Sequence, residues 1–266
     1  MKAAILTDVT RCIGCRKCVE ACTKTYGLKP YVPSDKTAAD GLSAERWTSI
    51  VERPGAHYVR KQCRHCVEPA CVSACLVAAM QKTPEGPVVY DNKVCIGCRY
   101  CMMACPYGIP RYQWDTAVPY VRKCILCYER VRDGKLPACV EACPEKATIF
   151  GDRDDLLAEA KARLAASPGK YVNRVYGDHE EFGGTSVLYL SPVPLDFLAI
   201  GGKLKDDALP ELTWRALGKV PGVALGVAGL MLGTNFVIGR RMKVADEERQ
   251  RREAPAGEQE ATGSDE

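Results

Sequence analysis

Residues 220–239 run for twenty positions without a charged side chain, bounded by Lys219 and by Arg240-Arg241. A helix rises about 1.5 Å per residue, so this length matches a bilayer core of about 30 Å. Pro221 is tolerated in a first turn, and Gly222, Gly226, Gly229 and Gly233 set small residues at the spacing that lets helices approach closely. The pattern predicts a membrane-spanning helix. A buried helix of a soluble protein is the plainer alternative, but so many glycines would weaken it in water. Elsewhere the periods are short. Ala4–Asp8 reads as a strand, and Arg46–Glu52 and His57–Lys61 alternate as two strands about the Pro54-Gly55 turn. Val88–Tyr90 and Ser186–Leu190 predict two more. Asp152–Ala166 predicts a helix with acids in its first turn and Pro168-Gly169 after its end.

These elements frame sixteen cysteines in four groups of four: Cys12, Cys15, Cys18 and Cys22; Cys63, Cys66, Cys71 and Cys75; Cys95, Cys98, Cys101 and Cys105; and Cys124, Cys127, Cys139 and Cys143. Groups one and three have the C-x2-C-x2-C-x3-C run that holds cubane iron–sulfur clusters, and Pro106 completes the third. Groups two and four keep the leading CxxC and trailing CxxxC with a wider gap. Sixteen thiolates at four per cluster leave none over. Gly14 and Gly97 sit alike in the two compact runs, where a curled loop favours a residue free to take positive φ. The last cysteine of each group is expected to open a short helix, as in Val19–Cys22 continuing to Tyr26.

The ligand chemistry changes how composition reads. A net charge of +4 assumes neutral cysteines, whereas thiolate-bound cubanes are anionic. Arg11, Arg16, Lys17, Lys61, Arg64, Arg99, Arg122 and Lys123 beside them then read as local compensation or as a solvated basic surface. Four Phe and three Trp suit a domain in which ligation replaces part of an apolar core. A disulfide framework does not suit repeated CxxC pairs. Zinc is the better rival, opposed by the third cysteine at two-residue spacing and by the Cys-Pro endings. No basic stripe or stacking platform separate from the cysteines points to nucleic acid. No site reads as catalytic. His65, between Cys63 and Cys66, reads as a supporting or surface residue, and His57 and His179 as structural.

CIGCRKCVEAC (12–22) repeats as CIGCRYCMMAC (95–105), and PACVSAC (69–75) as PACVEAC (137–143). The expected fold is therefore α+β: duplicated bacterial-type two-cluster ferredoxin domains, followed by one C-terminal transmembrane helix. Its expected parts are a tetracluster domain over 1–168 with an insertion at 23–62, an extension or linker over 169–212, an anchor helix over 213–240, and a charged, disordered tail over 241–266. Spacing leaves open whether group one pairs with two or with four. Arg240, Arg241 and Lys243 after the span, against Arg215 and Lys219 before it, favour a cytoplasmic C-terminus and an outward-facing cluster domain. Ahead of Cys12 neither an apolar signal core nor a twin-arginine pair is visible, so export is expected to depend on a partner's signal.

The motifs CIGCRKCVEAC, CRHCVEPACVSAC, CIGCRYCMMACPYGIPR and KCILCYERVRDGKLPACVEACP, spanning 12–144, resemble those of four-cluster iron–sulfur subunits of membrane-bound molybdopterin oxidoreductases and nickel–iron uptake hydrogenases. Among these the chain is similar to the beta subunit of respiratory formate dehydrogenase and to the hydrogenase iron–sulfur subunit. Its anchor and lack of signal resemble the former, and Leu188–Pro194 looks more like the latter. The resemblance implies four [4Fe-4S] clusters, held by Cys12, Cys15, Cys18 and Cys143; by Cys22, Cys124, Cys127 and Cys139; by Cys63, Cys66, Cys71 and Cys105; and by Cys75, Cys95, Cys98 and Cys101. Thr23 and Leu76 stand where the family's Pro follows a last cysteine, which bears on local geometry. The implied role is to relay single electrons between a catalytic molybdopterin or nickel–iron subunit and a cytochrome b or other quinone-reactive membrane subunit at the cell inner membrane. A stand-alone polyferredoxin-like carrier serving several redox partners is the alternative.

Overall fold

The structure is a computed structural model that describes residues 1–30 and 39–253. Along the chain come β1 (Ala3–Asp8), α1 (Lys17–Tyr26), β2 (Thr48–Arg53), β3 (His57–Gln62), α2 (Ala70–Ser73), β4 (Met80–Lys82), β5 (Val88–Tyr90) and α3 (Tyr100–Ala104). Then follow β6 (Arg111–Tyr112), β7 (Val121–Arg122), α4 (Tyr128–Arg132), α5 (Ala138–Glu141), β8 (Thr148–Asp152), α6 (Arg153–Ala166), β9 (Val187–Leu190), α7 (Leu209–Leu217) and α8 (Val220–Glu253). Contacts divide the chain into two units, Met1–Leu212 and Thr213–Glu266.

Every residue of β1 is buried. The strand is central in the sheet β8-β1-β9, antiparallel to β8 and parallel to β9, with Ile5 opposite Phe150 and Val187. Strand alternation sends Ala3, Ile5, Val187 and Tyr189 into one apolar cluster, and Ala4, Leu6, Leu188 and Leu190 into another against Leu156 and Ala160 of α6. Both faces are covered, which is why β1 opens as an unbroken apolar run. The α6 helix starts where expected because the Asp152 carboxylate caps it, accepting from the Asp154 amide at 3.1 Å.

Segment 169–212 is not a separate linker. It supplies β9 to the central sheet, and buried Glu181 reaches the first cysteine loop of group two, where Arg64 lies 2.7 Å away. The expected strand pair in 23–62 forms as β2 and β3, two residues later at its start than its alternation suggested. In the second unit the apolar run forms α8. That helix continues through the charged residues 241–253, which were expected to be disordered. Their composition favours helix, and Arg249 pairs with Glu253 one turn on at 3.0 Å. The expected disorder of 254–266 concerns residues outside those described.

Candidate functional site

Each cysteine loop is shaped at the third residue of its CxxC. Gly14 (φ 69°), His65 (φ 48°), Gly97 (φ 71°) and Leu126 (φ 57°) all take the left-handed conformation there. Glycine does so freely, whereas for His and Leu it costs about 1–2 kcal/mol. At Gly14 a second constraint applies, since an added Cβ would lie 2.7 Å from the Tyr58 ring. The curled loops turn amides onto sulfur: Gly97 N–H donates to Cys95 Sγ and Leu126 N–H to Cys124 Sγ, both at 3.4 Å.

Contrary to expectation, the helices do not open on the last cysteine of each group. The third cysteine is instead the second residue of a helix in every group: Cys18 in α1, Cys71 in α2, Cys101 in α3 and Cys139 in α5. Helix amides near an N-terminus carry partial positive charge and favour a thiolate. Only α1 runs on past its fourth cysteine, Cys22; the other three stop before theirs.

Helix α1 packs against α5 and α2 against α3, so group one lies with group four and group two with group three. Two cavities result in the first pair. One is walled by Cys12, Cys15, Cys18, Cys139 and Cys143, the other by Cys22, Cys124, Cys127 and Cys139. In the second pair Cys66 lies among Cys105, Cys63 and Cys71, and Cys101 among Cys95, Cys75 and Cys98. Cys124 also faces Cys63, which links the two pairs. Among the described residues no three His, Cys, Asp or Glu side chains close on one point as a lone ion requires. Thiols spread around a cavity suit a polynuclear cluster better than zinc with its bonds of about 2.3 Å.

The cavity linings have unmet donors. Arg60 Nε and Nη1 and the Thr148 hydroxyl line the first cavity, and the Thr48 hydroxyl and Gln62 Nε2 line the second; all are buried without a hydrogen-bond partner. Orphaned donors in such places call for acceptors, and the sulfides and thiolates of a cluster are acceptors. Burial pushes the Cys18 and Cys101 thiols up to about 11 and Cys71 to about 12. A coordinating metal reverses that penalty by deprotonating the thiol outright. Tyr26 lines the second cavity, hydrogen-bonds Cys127 and stacks on Trp47 with centroids 4.8 Å apart. The residues present therefore fit iron–sulfur clusters.

The eight basic residues singled out from sequence divide sharply. Arg11, Arg16, Lys17 and Arg99 are exposed, and Arg122 is half-buried. Buried Arg64 is neutralised by Glu181, and Lys61 by Asp40 at 3.0 Å. Lys123 is buried, bonding the carbonyls of Val88 and Cys124. Exposed Arg11 and Arg16 line the first thiol cavity, but its buried cation is Arg60, which sequence reasoning missed. It sits three residues ahead of Cys63 and gains its position only through hairpin pairing. His65 is fully buried, not at the surface: its Nδ1 accepts from the Val88 amide at 2.9 Å, and burial with Lys123 and Lys82 keeps it neutral.

Thiol-lined cavities with curled CxxC loops define a ferredoxin-type iron–sulfur protein, and among the described residues the helical stretch Leu209–Glu253, made of α7 and α8, is long and apolar enough to cross a membrane. The chain belongs to the 4Fe-4S dicluster domain family, whose model matches residues 55–153. It is 43% identical to a protein of Nitratidesulfovibrio vulgaris over 92% of this chain and 69% of that one. It is 40% identical to hydrogenase-2 operon protein HybA of Escherichia coli O157:H7, over 73% of this sequence and 71% of the relative. Identity is also 40% to the B subunit of anaerobic dimethyl sulfoxide reductase of Escherichia coli K12, over 60% of this sequence and 78% of the relative. The protein is accordingly an iron–sulfur electron-transfer subunit of an oxidoreductase and not its catalytic subunit.

Proposed function

We propose that this subunit relays single electrons through four [4Fe-4S] clusters, between a catalytic molybdopterin or nickel–iron subunit and a quinone-linked membrane subunit such as a cytochrome b. The proposed ligand sets are Cys12, Cys15, Cys18 and Cys143; Cys22, Cys124, Cys127 and Cys139; Cys63, Cys66, Cys71 and Cys105; and Cys75, Cys95, Cys98 and Cys101. The observation that carries this reading is the pair of cavities, each walled by thiols from groups one and four and each lined by orphaned donors. When bound, the clusters supply reversible one-electron chemistry. The chain's own residues fix the thiols and bring Cys124 beside Cys63, so that the two pairs of groups form one continuous series. The repeated placement of the third cysteine on a helix supports a duplicated two-cluster module.

Relatives named for a hydrogenase operon and for dimethyl sulfoxide reductase support a hydrogenase-type or reductase-type partner. They lend nothing to the formate dehydrogenase reading. The glycines of α8 have open space where a Cβ would stand, which suits packing against a partner helix. Arg240, Arg241, Lys243, Arg249, Arg251 and Arg252 follow the apolar run and support a cytoplasmic C-terminus of a single-pass inner-membrane anchor.

Iron and acid-labile sulfide analysis of the purified complex tests the cluster reading, with about sixteen of each expected per chain for four cubanes. Zinc in their place would overturn it. Protease protection on inverted vesicles tests the topology, and digestion of the cluster domain from the cytoplasmic side would reverse it.

A further inference from the structure

The β2–β3 hairpin does more than fill the space between the first two cysteine groups. In its ladder Thr48 stands opposite Gln62, and Ile50 opposite Arg60. Side chains two apart on a strand share a face, so these four residues share one. That face covers both cavities of the first pair. Ile50 and Arg60 line the one walled by Cys12, Cys15 and Cys18, and Thr48 and Gln62 line the one walled by Cys22, Cys124 and Cys127.

Arg60 is 2% exposed. Its Nη2 donates to Thr7 Oγ1 at 3.3 Å, and Nε and Nη1 have no partner. No carboxylate pairs with it among the described residues, in contrast to Arg64 four positions on. A buried, uncompensated guanidinium is strongly unfavourable unless an anion meets it. The groups facing it are Cys139, Cys18, Tyr189 and Cys124, so its countercharge comes from both cavities.

We propose that this face of the hairpin sets the reduction potentials of the two clusters it covers: Arg60 is a buried countercation shared by both, and Thr48 and Gln62 are neutral donors to the second. The inference rests on the ligand sets proposed above. Gaining one electron, with no proton transferred, makes a site more negative by one charge. A fixed cation in a medium of low dielectric favours that state and raises the potential. Neutral donors do the same more weakly. Arg60 therefore acts on the potentials through charge, and not as a ligand.

The test is a redox titration followed by electron paramagnetic resonance on the intact complex in detergent. The two signals of interest are those that Cys143→Ser and Cys124→Ser perturb. Arg60→Gln is expected to weaken reduction at both by about tenfold or more, a fall of about 59 mV for one electron per tenfold. Arg60→Lys is expected to restore most of it, and Gln62→Met to lower only the second signal. Full iron and sulfide with unchanged potentials in Arg60→Gln overturns the proposal. So does an equal shift at all four clusters, which would report general loosening. Should Arg60→Gln fail to retain its clusters, Gln62→Met decides, and an unmoved second signal overturns the proposal. Absence of iron and sulfide from the unaltered protein is a different result and defeats the cluster reading itself.

Discussion

Arg64 and Glu181 form a buried ion pair at 2.7 Å across 117 positions of sequence. The same carboxylate accepts the Tyr107 hydroxyl at 2.8 Å and the Gly177 amide at 2.7 Å, so one side chain ties a cysteine loop to two distant segments. Removing it leaves a guanidinium buried and unpaired. Glu181→Ala is expected to cost about 3–5 kcal/mol, whereas the double change Arg64→Met with Glu181→Leu costs far less. Denaturant unfolding, followed by loss of cluster absorbance, checks both.

Cys143 lies on the wall of the cavity that Cys12, Cys15 and Cys18 line, 131 positions from the first of them. Cys143→Ser is expected to damage that cluster, leaving a three-iron or oxygen-labile centre. Resonance spectra of the variant decide, and loss confined to the cluster of Cys124 and Cys127 would falsify the cross-ligation.

Gly14 is constrained twice, by φ and by the Tyr58 ring. Gly14→Ala is expected to lower stability by at least about 1–2 kcal/mol and to reduce cluster content. Pairing it with Tyr58→Ala relieves the collision but not the backbone strain, so recovery is expected to be partial. Iron content and unfolding midpoints of Gly14→Ala, Tyr58→Ala and the double variant measure the two contributions separately.

Asp40 is half-buried. Burial raises its carboxyl, but the Leu42 amide, Lys61 and Arg111 together outweigh that and hold it below the ordinary value of 3.8. A depressed folded value means stabilisation that is complete above the unfolded pKa and lost as pH falls through the folded one. Asp40→Asn is expected to cost about 1 kcal/mol at neutral pH, reflecting partial solvent screening. Its stability is expected to fall less steeply than the parent's below about pH 4. Unfolding midpoints across that range check the sign.

Met1–Leu212 forms its own set of contacts. A protein truncated after Leu212 is expected to retain its iron and sulfide while leaving the membrane fraction. Ultracentrifugation with metal analysis reads both at once.

What could be read from sequence was chemistry set by neighbours along the backbone. Cysteine spacing, the alternation of β2 and β3 and the uncharged run of α8 all depend on local period or ligand geometry. What could not be read depended on distant pairing. Spacing alone left the partner of group one undecided, because α1 meets α5 only through the fold. Arg60 was not among the basic residues singled out, and its importance comes from standing opposite Ile50 on a face closed over two cavities. Segment 169–212 read as a linker because β9 finds its parallel neighbour at the opposite end of the cluster domain. His65 was read as a supporting or surface residue because the positive φ that turns it inward is unusual for its type.

The position of β1 between β8 and β9 also governs how this protein is made. During translation β1 emerges well ahead of both its neighbours. Its antiparallel partner comes only with Thr148–Asp152, and its parallel one only with Val187–Leu190. Until then the thiols of Cys12, Cys15 and Cys18 lack both a sealed wall and their neighbour Cys143. On the ligand sets proposed above, the loop of group one is expected to load late in biosynthesis, its three thiols kept reduced while more than a hundred further residues are added.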